Sequence, residues 1–124
     1  MTTRKIEKNH SLAESIYVAA FGLLGVLRTE KGIQLILYFA LSFIFLCFFL
    51  RVSYLETLVL ILAWLLVLTY EIFNTALEKA LDYVSHKEYS PLIKKGKDFA
   101  AASVFVAACF ANGFSLFILL NKIF

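Results

Sequence analysis

Charge is scarce in this chain. Of its 124 residues only 17% are charged and 61% are hydrophobic, whereas a typical soluble domain carries about 25% charge. A short water-soluble chain must cover its small core with polar surface. This composition excludes that arrangement and suits an exterior that faces hydrocarbon. Cysteine is nearly absent as well. Cys47 and Cys109 each sit inside an apolar run, without a CxxC spacing or a neighbouring histidine. A cysteine metal site is therefore not expected, and two buried free thiols are. Proline occurs once, at Pro91, and neither glycine nor proline interrupts residues 55–84, so one long helix is expected there. Aromatics are plentiful, with thirteen Phe and six Tyr, but most of the Phe lie within apolar runs. They read as lipid-facing or packing residues rather than a base-stacking surface, and no nucleic-acid partner is expected. The first apolar stretch, 11–27, contains Glu14 and ends in Arg28-Thr29-Glu30. It lacks a small-residue cleavage site, so no cleavable signal peptide is expected.

What is present reads as one all-α membrane domain over residues 1–124. Residues 1–10 are polar and basic. In 11–27, Leu12, Ile16, Ala20, Leu23, Leu24 and Leu27 recur at spacings of three and four, while Ser11, Glu14, Ser15, Gly22 and Gly25 fall largely off that face. This is the pattern of an amphipathic helix lying in the membrane interface. A charged break, 28–32, separates it from 33–50, whose polar members are Gln34 and Ser42. Eighteen helical residues span roughly 27 Å, near the hydrocarbon thickness. The second transmembrane helix is expected over 55–84 after a short hydrophilic turn, and the third over 98–120 after a polar loop at 86–97. Arg4, Lys5, Lys8, Arg28 and Lys31 precede the first span, and Lys79, Lys87, Lys94, Lys95 and Lys97 lie between the second and third. Only Arg51 and Lys122 fall on the other side. This asymmetry puts the amino terminus and the 86–97 loop in the cytoplasm.

Acidic groups in or beside a span need a reason, because burying their charge is expensive. At about 100° per residue, with Glu71 as zero, Asn74 falls near −60°, Glu78 near −20° and Asp82 near +20°. These four residues form one stripe, and three carboxylates in a stripe repel one another unless cations sit against them. A divalent metal, Lys97, or both would relieve the repulsion. Glu30 stands at the cytoplasmic mouth of the first span, and Lys97-Asp98 at the mouth of the third. Carboxylates, an amide and a lysine gathered at an interface are the parts that hold magnesium and polyphosphate. A lipid hydroxyl lies at the same depth.

The run Glu71-Ile-Phe-Asn74-Thr75-Ala76-Leu-Glu78-Lys-Ala-Leu-Asp82, followed by Lys97-Asp98-Phe-Ala-Ala-Ala-Ser-Val104, resembles the prokaryotic diacylglycerol kinase family. That family includes bacterial diacylglycerol and undecaprenol kinases. The resemblance covers nearly the whole chain and includes the amphipathic helix, the Glu30 position and the three spans in order. It implies a homotrimer in the bacterial cytoplasmic membrane, with active sites shared between subunits and opening to the cytoplasm. No glycine-rich phosphate loop is present, in keeping with a kinase unlike the soluble ones. The implied reaction is transfer of the γ-phosphoryl group of ATP, with Mg2+, to the primary hydroxyl of diacylglycerol, giving phosphatidic acid. By the same likeness Glu71 is the catalytic base and Asn74 orients the reacting groups. Glu30 and Glu78 hold the metal with the ATP phosphates, Lys97 neutralises phosphate charge, and Asp82 and Asp98 hold the nucleotide. Tyr17 has two readings, a stack against adenine or an ordinary residue of the amphipathic helix.

Three features depart from the family pattern. Gln34 stands where many relatives have Arg, Ile36 where many Gram-positive relatives have His, and the loop before Lys97 is one residue longer than in enterobacterial enzymes. All three bear on the lipid and the nucleotide cover rather than on the reaction. Undecaprenol kinase is thus the alternative within the class. A proton-coupled transporter with Glu71 as carrier is the alternative outside it, but it would need an acid near the bilayer centre. In the third span Ala100, Ala101, Ala102, Ser103, Ala107, Ala108 and Ala111 are expected to let helices pack closely. Trp64, Tyr54 and Tyr70 read as interfacial or packing residues.

Overall fold

The computed structural model describes residues 11–124 and is all-helical among them. The basic residues Arg4, Lys5 and Lys8 lie outside this range. The chain divides into two units, 1–30 and 31–124.

In the first unit, α1 (Leu12–Thr29) starts at Ser11, whose hydroxyl accepts a hydrogen bond from the Glu14 N–H at 3.1 Å. Glu14 also places negative charge at the helix N-terminus. The helix buries none of its residues and is itself long and apolar enough to cross a membrane. By length and composition, then, four helices qualify as spans, where the sequence periodicity led to an expectation of three.

The second unit consists of α2 (Lys31–Phe49), α3 (Tyr54–Val84) and α4 (Pro91–Ile123). Of the expected 28–32 break only Glu30 is non-helical, because Arg28 and Thr29 finish α1 and Lys31 and Gly32 open α2. α2 ends with Arg51 in the left-handed region (φ 55°) and the Val52 N–H donating to the Cys47 carbonyl at 2.9 Å. α3 then begins on a reciprocal cap. The Glu56 N–H donates to Ser53 Oγ, and that hydroxyl donates to Glu56 Oε2 at 2.7 Å. This cap starts α3 at Tyr54, one residue before the expected 55–84 helix.

The largest correction concerns α4. It begins at Pro91 rather than at Asp98, so Lys94, Lys95 and Lys97 are helical and the connecting loop shrinks to residues 85–90. The physical reason is that proline suits the first helical position, since its missing N–H would have no intrahelical acceptor there. His86 and Lys87, both at positive φ (52° and 60°), turn the chain between α3 and α4.

α3 is the central helix of this unit, packed chiefly on α4 and also on α2. With 31 and 33 residues, α3 and α4 run about 46 and 50 Å at 1.5 Å per residue. Both exceed a hydrocarbon core about 30 Å thick, so they carry helical structure beyond it. The buried apolar cluster gathers at one end: Cys47 of α2, Leu60, Trp64 and Val67 of α3, and Ala111, Ile118 and Leu119 of α4. Trp64 packs on Phe43 with ring centroids 5.7 Å apart and donates its indole N–H to the fully buried Ser115 hydroxyl at 3.0 Å. Trp64 is therefore a packing residue, whereas Tyr54 is almost fully exposed.

Two packing expectations change. Cys109 is exposed while Cys47 is buried, because Cys109 falls on the outward side of α4. Ala101 and Ala102 are likewise exposed, and of the alanines in that run only Ala111 is fully buried. Leu58, Leu62, Phe105 and Phe117 are among the large apolar residues that stand outside, as suits hydrocarbon surroundings.

Candidate active site

The inward face of α3 changes character along its length. Thr57, Leu60, Trp64 and Val67 are buried at spacings of three and four, and the same spacing continues through Glu71, Asn74, Glu78 and Asp82. The polar stripe is thus the continuation of the core-facing stripe rather than a separate solvated face. Asn74 is buried, Glu71, Glu78 and Asp82 are half-buried, and Thr75 is buried beside Asn74.

Each site residue has a definite setting. The Glu71 carboxylate rests against the first turn of α2. A Cβ atom built on Gly32 would lie 2.5 Å from its Oε1 and 3.5 Å from its Cδ. Asn74 Oδ1 is a buried acceptor with no hydrogen-bond partner among the described residues. Leaving such a group unmet costs about 1–3 kcal/mol, and a donor or a cation beside it would remove that cost. At the far end of the stripe, Lys97 Nζ donates to Asp82 Oδ1 and ties the start of α4 to the end of α3. Asp98 turns elsewhere and accepts from Lys94 Nζ at 2.7 Å, one helical turn back. Beside the Asp82–Lys97 pair lies an open cavity of about 580 Å³, lined among others by Lys87, Tyr89, Ser90 and Lys94. Glu71, Asn74 and Glu78 do not line it.

Two expected site residues belong to the first unit. Glu30 caps α1, its N–H donating to the Val26 carbonyl at 3.0 Å. Tyr17 is exposed on α1 and stacks on Phe21 one turn later, with centroids 6.3 Å apart. In the second unit the structure brings Asp82 and Lys97 into contact and sets Glu71, Asn74 and Glu78 along one face above them, while Asp98 joins a different pair.

Sequence reasoning missed Gly32, Lys87 and Lys94. The two lysines stood in the 86–97 polar loop and were used only for the charge asymmetry. The Ser90-Pro91 pair is the signal that would have started α4 early and put Lys94 one turn before Asp98. Gly32 carried no signal at all, since its neighbour Glu71 is distant in sequence.

The oxygen-rich donors fit Mg2+, a hard cation that takes carboxylate and carbonyl oxygens. Among the described residues no three His, Cys, Asp or Glu side chains converge to hold a metal by themselves. Mg2+ held here would therefore need waters and substrate phosphates as its further ligands.

Comparison with known proteins identifies the family. The family model for prokaryotic diacylglycerol kinase matches residues 17–119. A diacylglycerol kinase of Helicobacter pylori strain 26695 is 32% identical over 99 residues, covering 80% of this chain and 77% of that protein. Its counterpart from Helicobacter pylori strain J99 is 31% identical over the same length and shares of each chain. No solved structure matches significantly. With the model spanning most of the chain, including the α3 stripe and the Asp82–Lys97 pair, this multi-pass membrane protein belongs to the prokaryotic diacylglycerol kinase family.

Proposed function

We propose that the chain is an ATP- and Mg2+-dependent kinase that phosphorylates the primary hydroxyl of diacylglycerol to give phosphatidic acid. The observation that carries this reading is the α3 stripe. A half-buried carboxylate, Glu71, and a buried unpartnered amide oxygen, Asn74 Oδ1, continue the core-facing side of a membrane helix toward a lysine–aspartate pair at its polar end. A lipid bound with its chains beside the apolar stripe would present its hydroxyl at the level where the stripe turns polar. The names of the two Helicobacter relatives support diacylglycerol over undecaprenol as the acceptor.

In this reading Glu71 takes the proton from the lipid hydroxyl as its oxygen attacks the γ-phosphorus of ATP, and the bond from that phosphorus to the bridging oxygen breaks to release ADP. Asn74 accepts a hydrogen bond that orients the reacting groups. Lys97, held by Asp82, faces the phosphates, and Asp82 and Asp98 support the nucleotide. Glu78 and Glu30 would hold the metal, Glu30 on the strength of the family resemblance alone. Bound Mg2+ would neutralise phosphate charge and line up the transferred group. The chain's own contribution is positioning and electrostatics. The protein would be a homotrimer in the bacterial cytoplasmic membrane, with α1 lying in the interface and the polar ends of α3 and α4 in the cytoplasm. Tyr17 is the aromatic candidate for the adenine.

Phosphate transfer from labelled ATP to diacylglycerol, undecaprenol and ceramide in mixed micelles tests the proposal, with Glu71→Gln as the control. Transfer to diacylglycerol that the variant loses is the expected result. Transfer to undecaprenol alone would replace the acceptor. Failure of the folded protein to bind Mg-ATP would reopen the transporter reading.

A further inference from the structure

We infer that Gly32 is a positioning residue for the Glu71 carboxylate, an inference that rests on Glu71 being the base. Of the chain's five glycines, Gly22, Gly25 and Gly113 would meet nothing within 4 Å of an added Cβ, and Gly96 would make an ordinary 3.6 Å contact with a leucine methyl. Gly32 differs in kind. Its Cβ would stand 2.5 Å from Glu71 Oε1, 3.5 Å from Cδ and 4.0 Å from Cγ. A carbon and a carboxylate oxygen cannot share that distance, so one of them has to move.

The backbone of α2 is not the part that would move. Gly32 is the second residue of a regular helix whose next residue, Ile33, is fully buried. All three atoms that a methyl would meet belong to one flexible side chain. Helix packing would therefore survive while the carboxylate oxygen shifted by about an ångström. A misplacement of that size can lower a rate on the order of 10²-fold, because the reacting atoms leave their near-attack arrangement. Glycine here acts through Glu71: it admits the carboxylate into contact with the α2 backbone and thereby sets where the proton acceptor sits. No conformational demand accounts for it, since no glycine among the described residues has positive φ.

Steady-state kinetics and thermal unfolding in detergent on Gly32→Ala, Glu71→Asp, Glu71→Gln and the Gly32→Ala double variants test the inference. Gly32→Ala is expected to lower kcat on the order of 10²-fold, with KM for ATP and for lipid within about twofold. Its unfolding midpoint should be unchanged or higher, because Ala is the better helix former. In the Glu71→Asp background the carboxylate is drawn back by one methylene, so the same substitution should lower kcat by no more than about threefold. In the Glu71→Gln background it should cost nothing further. A drop in midpoint, a failure to fold, or an equal loss of kcat in the Glu71 and Asp backgrounds would make Gly32 merely structural and overturn the inference. Wild-type kcat in Gly32→Ala, with activity lost in Glu71→Gln, would overturn it while leaving the base in place. Full activity in Glu71→Gln would instead remove the base on which it rests.

Discussion

The two halves of α3 follow one geometric rule and reach opposite chemistry. From Thr57 to Val67 the inward positions are buried against α2 and α4, closed by the Trp64–Ser115 hydrogen bond. From Glu71 to Asp82 the same spacing of three and four carries carboxylates and an amide, and burial becomes partial at the carboxylates while Asn74 stays buried. The change takes one helical step, from Val67 to Glu71. In a membrane the dry half gains little from hydrophobic transfer, because lipid tails are as apolar as leucine, so it must be held by close packing and interhelical hydrogen bonds. The wet half cannot be justified by packing at all. Partly buried carboxylates lower stability unless something meets them, and at the polar end Lys97 meets Asp82. The dry half therefore fixes α3, and the polar half carries the groups to which the proposed reaction is assigned.

If this division holds, substitutions in the two halves should separate activity from stability. The largest effect is expected at the first polar step. Glu71→Gln should lower kcat by about 10²–10⁴-fold, the usual worth of a general base, with the unfolding midpoint nearly unchanged. Equal losses of activity and stability there would break the comparison. Leu60→Ala, in the dry half, should do the reverse and lose about 2 kcal/mol of stability, the cavity part of such a change. Denaturant titration in mixed micelles measures that loss, and kcat per folded protein should stay within about twofold. Glu78→Gln should raise the Mg2+ concentration needed for half-maximal rate about tenfold, in the range seen when groups supporting a metal site are removed. An unchanged metal titration would take Glu78 out of the metal site. The smallest effect is expected at Ser115→Ala, which leaves the buried Trp64 N–H without its acceptor. Interhelical hydrogen bonds in membranes average about 0.6 kcal/mol and reach about 1.7, so the midpoint should fall slightly and the rate should not change.

Much of this arrangement was legible in the sequence, and the misses have physical causes. The helices were visible because apolar runs near membrane length leave little alternative. The α3 stripe was visible because its members lie on one helix, where a 100° step converts spacing directly into a shared face. The start of α4 was misread because its first two turns carry lysines, and hydropathy marks the edge of hydrocarbon rather than the edge of a helix. Cys109 was misjudged for a related reason: in a membrane protein an apolar run does not tell inside from outside, since both are apolar. The unpaired buried oxygen of Asn74 and the contact of Gly32 with Glu71 were invisible, because each depends on what another helix brings alongside.

The sequence by itself determined the membrane setting, the number and order of long helices, and the alignment of Glu71, Asn74, Glu78 and Asp82. These follow from composition and from the fixed period of a helix, both of which are local. Tertiary structure alone decided that Lys97 meets Asp82, that Asn74 is buried with an oxygen to spare, and that Glu71 comes alongside α2 at the one position without a side chain. Those are relations between helices far apart in the chain, and the packing of one helix against another sets them.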